Sequence, residues 1–97
     1  MIQSFRDRGT EDIFEGTEST SARKKCPKNL WAIAWRKLDQ INRAVTLQDL
    51  AVPPGNKLEQ LKGNRKGQVS IRINEQFRIC FRWENRDAYD IEITDYH

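Results

Sequence analysis

The sequence predicts an α+β domain, with a short N-terminal strand and helices first and a mainly antiparallel C-terminal β-meander after them. Three observations carry this. From Lys28 to Val45 the apolar residues recur at helical spacing. Pro53, Pro54 and Gly55 then interrupt regular structure. Beyond that break the apolar period becomes two, through Val69, Ile71 and Ile73, then Phe77, Ile79, Phe81 and Trp83, then Tyr89, Ile91 and Ile93. Such an order lays the long helix over the apolar face of the sheet. A chain of 97 residues closes one core, so residues 1–97 are expected to form one domain.

Taken in order, Ile2 to Phe5 read as a short first strand, and Thr10 reads as the N-cap of a helix through Ile13 and Phe14. Glu11 and Asp12 suit its first turn, where the helix dipole favours negative charge. The stretch after Gly16 is small, polar and unpatterned, and residues 17–27 read as an exposed connector whose Arg23, Lys24 and Lys25 are solvated. In the long helix Leu30, Ala34, Leu38, Ile41 and Val45 step by four, four, three and four. Trp31 and Trp35 widen this stripe. Indoles one turn apart could stack on bases, but beside an apolar stripe they read first as core or as a contact for a protein partner. Thr46 caps one further turn, and a less regular strand is expected around Lys57 to Leu61.

Composition removes several classes of function. The chain is 37% hydrophobic and 32% charged, polar for a globular protein but too rich in aromatics and β-branched residues to stay disordered. Cys26 and Cys80 are far apart, no CxxC is present and there is one histidine, so neither a disulfide framework nor a zinc site is written here. A reduced, cytoplasmic protein without cofactor or metal is the expectation. No apolar run approaches the roughly 18 residues of a membrane span. The net charge of +3 decides little, but its distribution is informative. Residues 57–82 carry Lys57, Lys62, Arg65, Lys66, Arg72, Arg78 and Arg82 against Glu59 and Glu75, and residues 83–95 swing back to acid.

A three-residue loop of Asn74, Glu75 and Gln76 sets Ile73 against Phe77, and therefore Arg72 against Arg78 on the polar face. Like charges directly opposite each other are destabilising, which suggests an anion between them. On that reading removal of Arg78 would relieve repulsion and raise stability slightly. The alternative is that Glu92 or Asp90 on the next strand neutralises the pair. A second loop of Asn85, Arg86 and Asp87 would keep Trp83 against Tyr89 and Arg82 against Asp90, then Cys80 against Glu92 and Arg78 against Thr94. It would bring Asp95, Tyr96 and His97 to the Arg72–Arg78 end, where Lys62 to Arg65 could join them. Two guanidiniums, a carboxylate, a phenol and an imidazole are the groups that metal-free RNA cleavage requires.

Several motifs on these residues resemble one family. They are L-x-G-x-R-x-G through Leu61, Gly63, Arg65 and Gly67, the run from Ser70 to Phe81, and the closing Asp95-Tyr96-His97. From Pro53 to His97 the chain is similar to the C-terminal half of HigB-type toxins of the RelE/ParE superfamily, also described as plasmid maintenance killer proteins. The opening residues 1–16 resemble family N-termini too. The resemblance implies a RelE-like fold, cleavage of mRNA in the ribosomal A site, and neutralisation by a helix-turn-helix antitoxin of the HigA type, with operator DNA reached only through that antitoxin. Lys62, Arg78, Asp95, Tyr96 and His97 match positions the family uses for RNA binding or cleavage. The implied roles are phosphate stabilisation by Arg78 and Lys62, proton movement by Asp95 or His97, and base orientation by Tyr96. Lys57, Arg65, Lys66 and Arg72 are further RNA-binding candidates. Glu59 departs from the pattern, standing where some relatives have histidine. Two other readings remain: a ParE-like inhibitor of a protein such as DNA gyrase, and an antitoxin-binding co-repressor without toxicity.

Overall fold

Three helices, α1 (Arg8–Glu15), α2 (Thr20–Lys25) and α3 (Trp31–Arg43), precede the strands in the computed structural model, which describes residues 1–95. The strands β1 (Glu59–Gln60), β2 (Val69–Arg72), β3 (Phe77–Glu84) and β4 (Asp87–Asp95) form one antiparallel sheet in that order. The period-two residues Ile71, Ile79, Phe81 and Ile93 and the helical stripe Ala34, Leu38 and Ile41 are buried together. The α+β architecture is therefore the expected one. No helix among the described residues is long and apolar enough to cross a membrane.

Several local expectations are corrected. The N-cap of α1 is Asp7, not Thr10: the Asp7 carboxylate accepts the Thr10 N–H at 2.7 Å and the Thr10 hydroxyl at 3.1 Å. Thr10 is buried, and its hydroxyl oxygen accepts the Ile93 N–H at 3.1 Å. It serves a strand of the sheet rather than its own helix end. The connector 17–27 is not simply exposed either. Ser19 caps α2 by accepting the Ala22 N–H and donates to Asp12 at 2.7 Å, while Ala22 and Cys26 are buried. Gly9 permits this packing, since a methyl group there would collide with the Ser21 carbonyl and Lys25. Of the basic trio, Lys25 pairs with Asp7 at 3.2 Å and Arg23 with Glu18 at 3.5 Å.

The long helix stops at Arg43, so Val45 is 55% exposed instead of joining the stripe. Its N–H and that of Thr46 are both accepted by the Asp49 carboxylate, which removes them from helical bonding; Thr46 caps the next short turn as expected. Those backbone bonds hold the Asp49 carboxyl below its ordinary pKa. The indole N–H groups of Trp31 and Trp35 donate to the Cys26 and Phe14 carbonyls, each at 3.1 Å, so both tryptophans are tied to the helical layer.

Residues Ile2 to Phe5 form no continuous strand. Two isolated parallel bridges, Ile2 with Ala88 and Phe5 with Ile91, attach them to β4. Asp90 between those bridges has φ +56°, and its N–H is taken by the Ser4 hydroxyl at 2.9 Å, so a regular ladder is interrupted there. The loop from β2 to β3 keeps the expected register, with Arg72 facing Arg78. The second hairpin does not. Its loop is two residues, Asn85 and Arg86, both at positive φ, the geometry that a tight turn with the right twist demands. Trp83 consequently faces Ala88 and Arg82 faces Tyr89. A bulge between Cys80 and Arg82 absorbs the difference, so Cys80 still faces Glu92 and Arg78 still faces Thr94. Both cysteines are free and buried, and burial pushes the Cys26 thiol up to about 11.

Candidate active site

Arg78 is the centre of the site, and the sheet positions it. As the second residue of β3 it alternates with Phe77 and Ile79, which enter the core, so its guanidinium emerges on the polar face. There Nε donates to Ser70 Oγ at 2.8 Å, and Nη2 donates to the Lys57 carbonyl at 2.6 Å and, more weakly, to that of Ser70 at 3.4 Å. The Glu59 carboxylate stands 3.6 Å from Nη2. The residue is only 8% exposed. A guanidinium held at two edges has little rotamer freedom left to lose when it meets a phosphate.

Arg72 lies opposite, and among the described residues its only ion pair is a long contact of 3.8 Å to the exposed Glu75. With Asn74, Glu75 and Arg78 it lines an opening of about 220 Å3, room for a phosphate group. The register places Asp95 opposite Phe77 at this same end, and Gln76 Nε2 donates to its carboxylate at 2.9 Å. Arg72 and Arg78 are thus brought together as the sequence predicted, whereas Asp95 reaches the same end of the sheet with Phe77, rather than either arginine, as its register partner. Tyr96 and His97 lie outside the described residues.

The remaining candidates are placed differently. Lys57 meets Arg78 through its carbonyl. Arg65 crosses the polar face to pair with Glu92 at 3.1 Å and also donates to Gln68 and Thr94. Glu92 is therefore engaged by Arg65, with Arg6 at 3.9 Å, and does not neutralise the Arg72–Arg78 pair. Lys62 and Lys66 line a different groove, together with Trp83. Two neighbours of Arg78 were not foreseen, Ser70 and Glu59, because the pairing of Glu59 with Ser70 that delivers them depends on β1, two exposed polar residues with no apolar alternation. Their contacts also overturn the expectation that losing Arg78 would stabilise the protein, since its removal strips a buried hydroxyl and a carboxylate of their partner. Among the described residues no three His, Cys, Asp or Glu side chains converge as metal ligands.

Arg82 serves as the internal control. Its Nε meets Asp90 at 3.0 Å and its guanidinium lies 5.1 Å from the Tyr89 ring centre, so the expected ion pair forms although the backbone register is shifted. The hydrogen bond to Asp90 raises its pKa further. Replacing Arg82 with Ala is expected to leave cleavage unchanged and to cost little stability, as is usual for exposed ion pairs. Abolished cleavage in that variant, with Arg78→Ala active, would show that the site had been placed on the wrong arginine.

Comparison with known proteins bears on the family and on the fold. A family model described as the RelE-like toxin of type II toxin-antitoxin system HigB matches residues 3–97. Toxin HigB-1 of Vibrio cholerae serotype O1 is 36% identical over 83 residues, covering 86% of this chain and 84% of that one. Endoribonuclease HigB of Proteus vulgaris is 31% identical over 103 residues, spanning 100% of both. Among solved structures, the YoeB-YefM complex from Staphylococcus aureus contains a chain that aligns with a TM-score of 0.56 at 17% identity, covering 100% of this chain and 98% of that one. At that identity the likeness speaks for the fold. With a family model matching nearly all its length and relatives at 36% and 31% identity, the chain belongs to the HigB-like family of RelE-like toxins.

Proposed function

We propose that this chain is the toxin of a type II pair, an endoribonuclease that cleaves mRNA on the ribosome in the cytoplasm and is neutralised by a helix-turn-helix antitoxin of the HigA type. Operator DNA is reached only through that antitoxin. The observation that carries the reading is Arg78, buried, fixed by Ser70 and Lys57, and facing Arg72 across the ladder. The relative from Proteus vulgaris bears the name endoribonuclease, which supports the same class.

In the reaction a carboxylate takes the proton of the 2′-hydroxyl, and the oxygen attacks the adjacent phosphorus. The P–O5′ bond then breaks as the leaving oxygen gains a proton, and the product is a 2′,3′-cyclic phosphate. Arg72 and Arg78 hold the charge that grows on the phosphoryl oxygens. Glu59, 3.6 Å from Arg78, and Asp95, at the same end of the sheet, are the candidate carboxylates, and His97 is the candidate imidazole to protonate the leaving group. Lys62 adds charge along the RNA, and Tyr96 orients the base.

The test is single-turnover cleavage of mRNA on programmed ribosomes, with the new ends mapped, alongside growth arrest relieved by the antitoxin. Cleavage should continue in excess chelator when ribosome integrity is maintained separately. A strict requirement for a divalent ion at the toxin itself would end the metal-free mechanism. Binding to ribosomes should weaken steeply with salt as phosphate contacts release counterions. Salt-insensitive binding without new mRNA ends would favour a protein target such as gyrase.

A further inference from the structure

A second groove lies across β1 from Arg78. Glu59 turns its carboxylate to Arg78 at 3.6 Å, whereas Gln60 lines a groove of about 500 Å3 walled by Leu47, Val69 and Trp83. Successive side chains of a strand leave on opposite faces. The two sites therefore lie on opposite faces of the sheet and meet at its β1 edge. The rim of the groove carries Lys62 and Lys66, both exposed and without an ion pair among the described residues, and no acidic side chain lines it. Trp83 is half-buried, and its indole N–H has no acceptor among the described residues, unlike those of Trp31 and Trp35.

We propose that this groove is a nucleotide subsite: one base of the single-stranded RNA, next to the phosphate held by Arg78, crosses the β1 edge and packs against Trp83, while Lys62 and Lys66 hold its phosphate. An aromatic wall, an unclaimed N–H donor, an amide at Gln60 and a cationic rim free of acid suit a ligand with a flat π-face, hydrogen-bonding edges and negative charge. An acidic peptide would answer the lysines but leaves the indole donor and the flat wall without a particular role. That the ligand is RNA rests on the endoribonuclease reading.

The experiment uses the full chain and a 2′-O-methyl hexaribonucleotide, which lacks the attacking hydroxyl and cannot be cleaved by this route. The oligonucleotide should quench tryptophan emission, and Trp83→Phe should remove that quench while retaining binding. Trp83→Ala should bind roughly tenfold more weakly or worse, as loss of one stacked base does elsewhere. Lys66→Glu, on the exposed rim, should weaken binding without touching the core, and it decides the matter if Trp83→Ala fails to fold. On programmed ribosomes Trp83→Ala should raise the toxin concentration for half-maximal rate and keep the limiting rate, whereas Arg78→Ala lowers the limiting rate. Affinity and cleavage like wild type in both Trp83→Ala and Lys66→Glu, with Arg78→Ala inactive, would overturn the subsite and leave the nuclease standing. A quench lost in Trp83→Phe, with no cleavage by the wild type, would uphold the subsite and sink the nuclease reading. Quenching by a peptide of glutamate and leucine, with none by the oligonucleotide, would overturn the subsite in favour of a protein-docking groove.

Discussion

Replacing Arg78 with Ala is expected to slow the cleavage step about 10²- to 10³-fold, the loss seen when one preorganised donor to a developing oxyanion is removed. The magnitude follows from preorganisation. Ser70 and the Lys57 carbonyl hold the guanidinium before substrate arrives, so no ordering remains to be done as charge develops on the phosphate. The same contacts predict a fold cost, about 1–3 kcal/mol, because Ser70 Oγ and the Lys57 carbonyl lose a buried donor. Arg78→Lys should restore part of the charge but not the two-edged grip, and should remain well below wild type. Single-turnover rates at saturating toxin, together with urea melts, separate the two effects. A limiting rate equal to wild type in a folded Arg78→Ala variant would dismiss Arg78 from the chemistry.

Truncating Phe81 to Ala is expected to destabilise the chain by about 3–5 kcal/mol, as removal of a buried aromatic ring leaves a cavity that the surroundings fill only in part. The ring is fully buried, and it sits where the register between β3 and β4 shifts. Its neighbours are therefore held by side-chain packing where the ladder itself is irregular. For a domain of this size the melting temperature should fall by roughly 10 °C or more. Urea unfolding of the variant checks this, and a change within the about ±0.5 kcal/mol of a surface substitution would mean that the core closes elsewhere.

Much of the face that carries the candidate site was legible because its pattern is local. The period of two along β2 and β3 states which side chains share a face, and the loop length between them states which face each other. Asn74 Oδ1 completes that loop by accepting the Gln76 and Phe77 N–H groups, so the opposition of Arg72 and Arg78 follows from residues 69–81 alone. The α+β arrangement and the long helix were read from periodicity in the same way. Family membership likewise rested on motifs spelled out in consecutive residues.

What the tertiary structure decided were the matters that depend on residues distant in the chain. The bulge at Asp90 is invisible to alternation, because one extra residue in β4 is tolerated only where the Ser4 hydroxyl takes the displaced N–H, 86 positions away. The turn Ser19 to Cys26 looked like a connector since its polar residues carry no apolar stripe, and it becomes a helix because Gly9 lets it dock on α1 and bury Ala22. Arg78 shows the division most clearly. Its place on the polar face was set by its own strand, but whether it stood free or braced depended on Ser70, Lys57 and Glu59 arriving from β2 and the β1 edge. Periodicity encodes which way a side chain points, whereas its partners are chosen by loop closure and packing between segments that no local pattern links.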